Sequence, residues 1–275
     1  MRLALTIQTP EVPAQVPVAL LSGTLAEKLA KAARMGAAGV ELITTQPAGL
    51  DVAALQEQLN RNGLQTAAIA SGGMAFAAKL TLLHSDPPTA ALARQRLNEL
   101  IALAAALHTP VVTVGSFRGR ALVDKEGSLA ELARILRRAG ERAADAGVRI
   151  ALEPLNRFEG DLLNNVAEGL VFLKELNHPA VGLLVDTFHV NIEETSWTEP
   201  FRQAMSAGKL FHVHLGDNNR LPPGHGLIDF AAILASLRET GYTGWLSAEL
   251  LCIPDADTAG QQTIDNMSRM MEAIA

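Results

Sequence analysis

Four short apolar runs in the second half of the chain each end in a residue able to hold a cation or move a proton. They are Ala151-Leu152-Glu153-Pro154, Leu184-Val185-Asp186-Thr187, His212-Val213-His214-Leu215 and Ser247-Ala248-Glu249-Leu250. If the runs are successive parallel strands, Glu153, Asp186, His214 and Glu249 meet at one edge and point at one centre. Three carboxylates and one imidazole suit Mn²⁺, Mg²⁺ or Co²⁺. Clustered carboxylates also need a cation, because their mutual repulsion otherwise favours protonation. Singly, each residue has a plainer role. A strand-end glutamate more often bonds a loop, Asp186 can cap the turn that follows it, and a lone histidine is more often a satisfied core or rim residue. The recurrence on four successive runs is what favours a shared site. His212 lies two residues before His214, on the same inward face but deeper, and is read as a packing or supporting residue. His84, His108, His178 and His225 fall in loops or at element ends and are read as solvated or capping.

Polar residues follow each candidate ligand. Glu153 precedes Asn156, Arg157 and Glu159; Asp186 precedes His189; His214 precedes Asp217, Asn218, Asn219 and Arg220, then Pro222-Pro223-Gly224. Polar loops around a cation suit recognition of hydroxyl groups. Arg220 alone could equally form a surface ion pair of little worth, and Pro-Pro-Gly could be only a turn.

Positioning these residues requires a repeating strand–helix layout, and the periodicity supplies one. Strands are expected at Leu3–Gln8, Gly39–Ile43, Leu64–Ile69, Pro110–Val114, Val148–Glu153, Val181–Asp186, Leu210–Leu215 and Trp245–Leu250. Helices are expected at Leu25–Met35, Val52–Arg61, Thr89–Leu107, Leu129–Ala146, Asn165–Leu176, Trp197–Ala207, Ile228–Thr240 and Thr258–Ile274, with a turn at Ser71-Gly72-Gly73. Nearly solid apolar strands suit a parallel sheet buried on both faces. Eight such units over this length predict an α/β fold, a single (β/α)₈ TIM barrel spanning residues 1–275, ahead of an open doubly wound sheet. The carboxyl edge of the strands is then the rim where barrel active sites lie.

Composition narrows the function classes. The chain has 275 residues, 48% hydrophobic and 19% charged, which argues for a globular core and against disorder. Its formal net charge of −6 gives no electrostatic footprint for nucleic acid. Cys252 is the sole cysteine, so an intrachain disulfide and a cysteine-based zinc site are both excluded. The opening apolar run is shorter than a signal-peptide core, and no run is long enough to span a membrane. A cytoplasmic protein with no membrane partner is expected.

The longer strings Leu152-Glu153-Pro154-Leu155-Asn156-Arg157-Phe158-Glu159 and Asp186-Thr187-Phe188-His189-Val190-Asn191-Ile192-Glu193-Glu194 resemble the ketose 3-epimerases of the D-tagatose/D-psicose type. So does His212-Val213-His214-Leu215-Gly216-Asp217, running on through Arg220 to Gly226. That family sits within the xylose-isomerase-like barrels. The resemblance is strongest across roughly residues 150–250 and otherwise rests on barrel layout. It implies that Glu153, Asp186, His214 and Glu249 hold one divalent metal ion, usually Mn²⁺, with Mg²⁺ or Co²⁺ as alternatives. It implies that Glu153 and Glu249 are also the acid/base pair, and that Glu159, His189 and Arg220 bind the carbonyl end and neighbouring hydroxyls of a sugar. The spacing of His214 and Arg220 favours His214 over His212 as ligand. Asp217 departs from the glutamate often found there, which bears on the choice of sugar. The family also implies a homo-oligomer, a dimer or tetramer, working in carbohydrate metabolism.

The chemistry so implied is inversion of a carbon beside a ketone. One carboxylate removes a proton to leave an enediolate and the other returns a proton to the opposite face. Alternatives on the same metal site are an aldose–ketose isomerase, including a hydroxypyruvate isomerase, and a keto-inositol dehydratase. More distant are a metal-dependent abasic-site endonuclease, disfavoured by charge, and a sugar-binding barrel without turnover. Asp217 in the loop after the seventh strand, and the glycine-free, acid-bearing loop after the eighth, would repel phosphate, so a free ketose is expected.

Overall fold

The computed structural model describes residues 1–274, and among these eight parallel strands close into a barrel in chain order. The strands are β1 (Arg2–Gln8), β2 (Gly39–Ile43), β3 (Gln65–Ala70), β4 (Val111–Val114), β5 (Arg149–Leu152), β6 (Val181–Asp186), β7 (Leu210–Leu215) and β8 (Trp245–Ala248). The helices are α1 (Leu25–Met35), α2 (Val52–Arg61), α3 (Gly72–Phe76), α4 (Pro87–Ala106), α5 (Lys125–Asp145), α6 (Val166–Leu176), α7 (Thr187–Glu193), α8 (Glu199–Ser206), α9 (Phe230–Glu239) and α10 (Ala256–Ala273). Closure is made by β1 against β8, with Arg2 opposite Trp245 and Leu5 opposite Ala248. The expected (β/α)₈ TIM barrel is therefore the fold, and the open sheet is not.

The local sequence explains the layout. Strands β2, β6 and β7 are buried along their whole length, as a sheet covered by helices on one face and filled on the other requires. Helix starts are fixed by side chains that accept an otherwise unpaired amide: Thr24 for α1, Asp51 for α2, Asp86 for α4, Asp124 for α5, Asn165 for α6 and Asp229 for α9. Each such cap is worth about 1 kcal/mol. The caps also explain why α4 and α5 begin earlier than the apolar periodicity alone indicates. Pro87 and Pro88 fit the first turn of α4, where a missing amide hydrogen costs nothing.

Two short helices lie where the sequence reading has none. α3 occupies the expected Ser71-Gly72-Gly73 turn. α7 follows β6 directly, with the Oδ1 of Asp186 accepting from the amide of Phe188 at 2.9 Å. β5 and β8 are shorter than expected, so Glu153 and Glu249 sit just beyond the last strand residue, on the rim. No helix among the described residues is long and apolar enough to cross a membrane.

Candidate active site

Glu153, Asp186, His214 and Glu249 converge at the carboxyl ends of β5, β6, β7 and β8. One ligand atom from each lies within 4.8 Å of all the others. The His214 Nδ1 stands 3.8 Å from Glu153 Oε1 and 3.6 Å from Glu249 Oε2. Glu153, Asp186 and His214 are 6%, 1% and 2% exposed, so their charges cannot be left to solvent. Glu153 Oε1 and His214 Nδ1 are both buried without a hydrogen-bond partner. Two orphaned lone pairs facing one another across a nest of carboxylates are the geometry a cation would satisfy. The donor set fits a hard or borderline divalent ion, and these residues could hold one.

Backbone features seat the carboxylates. Gly115, after β4, faces Glu153; a Cβ there would lie 2.2 Å from Glu153 Oε2. Glycine is therefore needed for the glutamate to occupy its position. The fully buried Arg118 donates to the backbone carbonyls of Glu153 and Leu162, tying the end of β5 to the loop beyond it. Burial draws its guanidinium down to about 10, against the pull of Glu153 and Asp161. Asp186 divides its oxygens: Oδ1 caps α7, and Oδ2 accepts from Arg220 Nη1 at 2.6 Å.

The two glutamates differ in electrostatic surroundings. Burial, then the charge of Glu249, raises the Glu153 carboxyl well above its usual range. Burial acts on Glu249 as well, but the positive charges of His214 and Arg220 outweigh it, holding that carboxyl down to about 2. The His214 imidazole is raised well above the usual histidine value, because Glu41 and Glu249 together overcome its burial. His189 goes the other way: burial lowers it, against the attraction of Asp186.

The other candidate residues gather around the same cavity, which has a volume of about 190 Å³. This is smaller than the roughly 300–1,000 Å³ of pockets for drug-sized ligands, and suits a small molecule. His189 Nε2 lies 3.6 Å from Glu153 Oε1 and 3.8 Å from Asp186 Oδ2. Arg220 is mostly buried, not a surface group; its Nη2 is 3.3 Å from Glu249 Oε2 and its guanidinium lies over the Phe188 ring. Glu159 lines the solvent side and accepts from Asn156 Nδ2 at 2.9 Å. That same amide nitrogen is 2.8 Å from His189 Nδ1. Since Nδ1 thereby accepts, the ring hydrogen sits on Nε2, directed toward the carboxylates and the cavity.

Two sequence expectations need revision. Asp217 is fully buried and accepts from the amides of Asn218, Gly224, Gly226 and Ile228. It folds the loop that carries Arg220 and does not line the cavity, so it is not placed to meet a bound phosphate as expected. Sequence reading also missed Glu41. This β2 residue is fully buried, 2.8 Å from His212 Nε2 and 3.0 Å from His214 Nε2. The available signal was a glutamate in the middle of the apolar run Gly39-Val40-Glu41-Leu42-Ile43. His212 is the supporting residue the sequence suggested, bonded to Glu41 and 3.0 Å from Ser247 Oγ.

Residues 29–273 match the family described as the xylose isomerase-like TIM barrel. An L-ribulose 3-epimerase of a Methylomonas species is 34% identical over 228 residues, covering 80% of this chain and 76% of that protein. A D-psicose 3-epimerase of Enterocloster bolteae is 40% identical over a shorter stretch of 121 residues, 44% of this chain and 40% of that one. A solved structure of an L-ribulose 3-epimerase superposes with a TM-score of 0.81 at 28% identity, over 98% of this chain and 95% of the other.

Proposed function

The chain belongs to the xylose isomerase-like TIM-barrel family and is an enzyme of the isomerase class, and on that premise we propose that it is a metal-dependent ketose 3-epimerase acting on a free ketose. The observation that carries the reading is that two carboxylates, Glu153 just beyond β5 and Glu249 just beyond β8, approach the same His214 Nδ1 to 3.8 and 3.6 Å. Inverting a carbon takes two proton-transfer groups, one for each face.

Glu153, Asp186, His214 and Glu249 would hold the divalent ion, with Mn²⁺ the expected species. When bound, the ion supplies Lewis acidity that makes the C–H beside the ketone easier to ionise. Glu249, kept ionised by its cationic neighbours, removes the proton from C3 and leaves the enediolate. Glu153 delivers a proton to the other face, and the reverse epimerisation uses the pair in opposite roles. The Nε2–H of His189 and the guanidinium of Arg220 donate to the substrate oxygens on which negative charge develops. Glu159 accepts from a hydroxyl at the solvent end. The enclosing wall keeps water from the enediolate.

Incubation with Mn²⁺ and a panel of free ketoses in D₂O tests the proposal. The expected result is the C3 epimer carrying one solvent deuterium at the inverted carbon. An aldose as the dominant product would replace the proposal with an aldose–ketose isomerase.

A further inference from the structure

We propose that Glu41 is a positioning residue that fixes the orientation of His214, turning its Nδ1 to the carboxylates of the site. The inference rests on the reading that the site takes one divalent cation. Glu41 stands in a strand that is otherwise apolar and wholly buried, on the half of the barrel that supplies none of the four converging ligands. An unpaired charge there would be costly, so its partners account for its presence. Its carboxylate reaches two rings: Oε2 lies 2.8 Å from His212 Nε2, and the two oxygens lie 3.0 and 3.2 Å from His214 Nε2.

An ionised carboxylate only accepts hydrogen bonds. Each Nε2 facing it must therefore carry the ring hydrogen. In the neutral ring of His214, the form that binds a cation, this leaves Nδ1 as a bare lone pair, buried and without a hydrogen-bond partner, 3.8 Å from Glu153 and 3.6 Å from Glu249. A lone pair aimed at two carboxylates is repulsive unless a proton or a cation lies among them, and a divalent cation takes the place of the proton. A carboxylate on the far nitrogen of a metal-binding histidine fixes the tautomer and ring orientation and makes the ligand nitrogen more basic. His189 provides the contrast within the same cavity. There Asn156 donates to Nδ1 and leaves Nε2–H facing inward. Two neighbouring rings are thus fixed in opposite senses, one as a ligand and one as a donor, by residues that themselves bind neither cation nor substrate. His212 braces the arrangement, its ring edge against His214 at a centroid distance of 5.3 Å.

The test is Mn²⁺ titration of the metal-free wild type and of Glu41→Gln, which keeps the shape but replaces one acceptor oxygen with a donor. Circular dichroism confirms the fold of each. The expected result is one equivalent bound by both, with the dissociation constant raised about 10–100-fold in the variant. In parallel, two-bond ¹H–¹⁵N correlation spectra of the wild type loaded with Mg²⁺ should show the His214 hydrogen on Nε2. This readout does not depend on the variant folding. Equal Mn²⁺ affinity in the two proteins, or a hydrogen on His214 Nδ1, overturns the proposal. So does binding of two equivalents by the wild type and one by the variant, because Glu41 would then be a ligand of a second ion. A wild type that binds no Mn²⁺ removes the site reading itself, a failure distinct from a wild type that binds while Glu41→Gln binds equally well.

Discussion

The two halves of the barrel are built alike and used differently. β5 to β8 end in Glu153, Asp186, His214 and Glu249, and the loops beyond them bring His189 and Arg220 to the cavity. β1 to β4 and their loops give the same cavity Val16, Pro17, Val18, Ile43, Ala70 and Phe76, with only the neutral hydroxyl residues Thr113 and Ser116 as polar side chains. One half carries charge and the other walls it off. An apolar wall lowers the local polarity, which strengthens electrostatic contacts opposite it. Glu41 is the exception: it belongs to the apolar half by position and to the charged half by contact.

The largest expected break in this division of labour is Glu249→Gln. It removes the ionised carboxylate but leaves an oxygen for the cation, so kcat should fall by about 10²–10⁴-fold while weakened Mn²⁺ binding remains measurable. A rate within twofold of wild type would remove Glu249 from the proton transfer. Next comes Gly115→Ala, at the seam between the halves. The added methyl would lie 2.2 Å from Glu153 Oε2 and must displace that carboxylate. A shift of about 1 Å costs about 10²-fold in kcat. Unchanged kinetics would show that Glu153 does not need the position it holds.

A third expectation concerns pH. In the cation-free fold, Glu153 is raised above 4.5 and His214 above 6.5. Both groups hold protons that the unfolded chain releases at lower pH. Their contribution to stability is therefore complete below those ordinary values and is lost as pH rises through the raised ones. Glu249 is lowered and acts in the opposite sense, but only as pH falls below 4.5. A divalent cation binds the deprotonated ligands, so its stabilising effect should grow with pH. Thermal unfolding with and without Mn²⁺ should show a gain in Tm that is larger at pH 8 than at pH 5. A gain independent of pH would contradict the ligand assignment. The smallest effect is expected from the wall. Phe76→Ala, at a half-exposed position of α3, should raise KM a few-fold and leave kcat within about twofold, because lost uniform binding does not reach the transition state alone.

The same asymmetry explains what the sequence disclosed. Glu153, Asp186, His214 and Glu249 each terminate an apolar run, and a polar residue at that place in a parallel strand has few structural reasons to be there. Glu41 interrupts its run in the middle, and its partners are 171 and 173 residues away in the chain. No local pattern announces such a pairing. Arg118 sits between glycines in Gly115-Ser116-Phe117-Arg118-Gly119, a loop composition that suggests solvent, yet it is fully buried against carbonyls. α7 was hidden because Thr187-Phe188-His189-Val190 carries β-branched and aromatic residues; tertiary packing after the Asp186 cap overrides that preference. The barrel and its four converging residues were legible because they follow a period. The supporting contacts were not, because they depend on which strands face each other across the interior.

Anomalous scattering from crystals grown with Mn²⁺ and soaked in a ketose would locate the cation and the reacting carbon together. One peak enclosed by Glu153, Asp186, His214 Nδ1 and Glu249 is expected, with C3 of the sugar between the two glutamate carboxylates. A peak between Glu41 and His212, or a sugar with both glutamates on the same face of its C3, would contradict it.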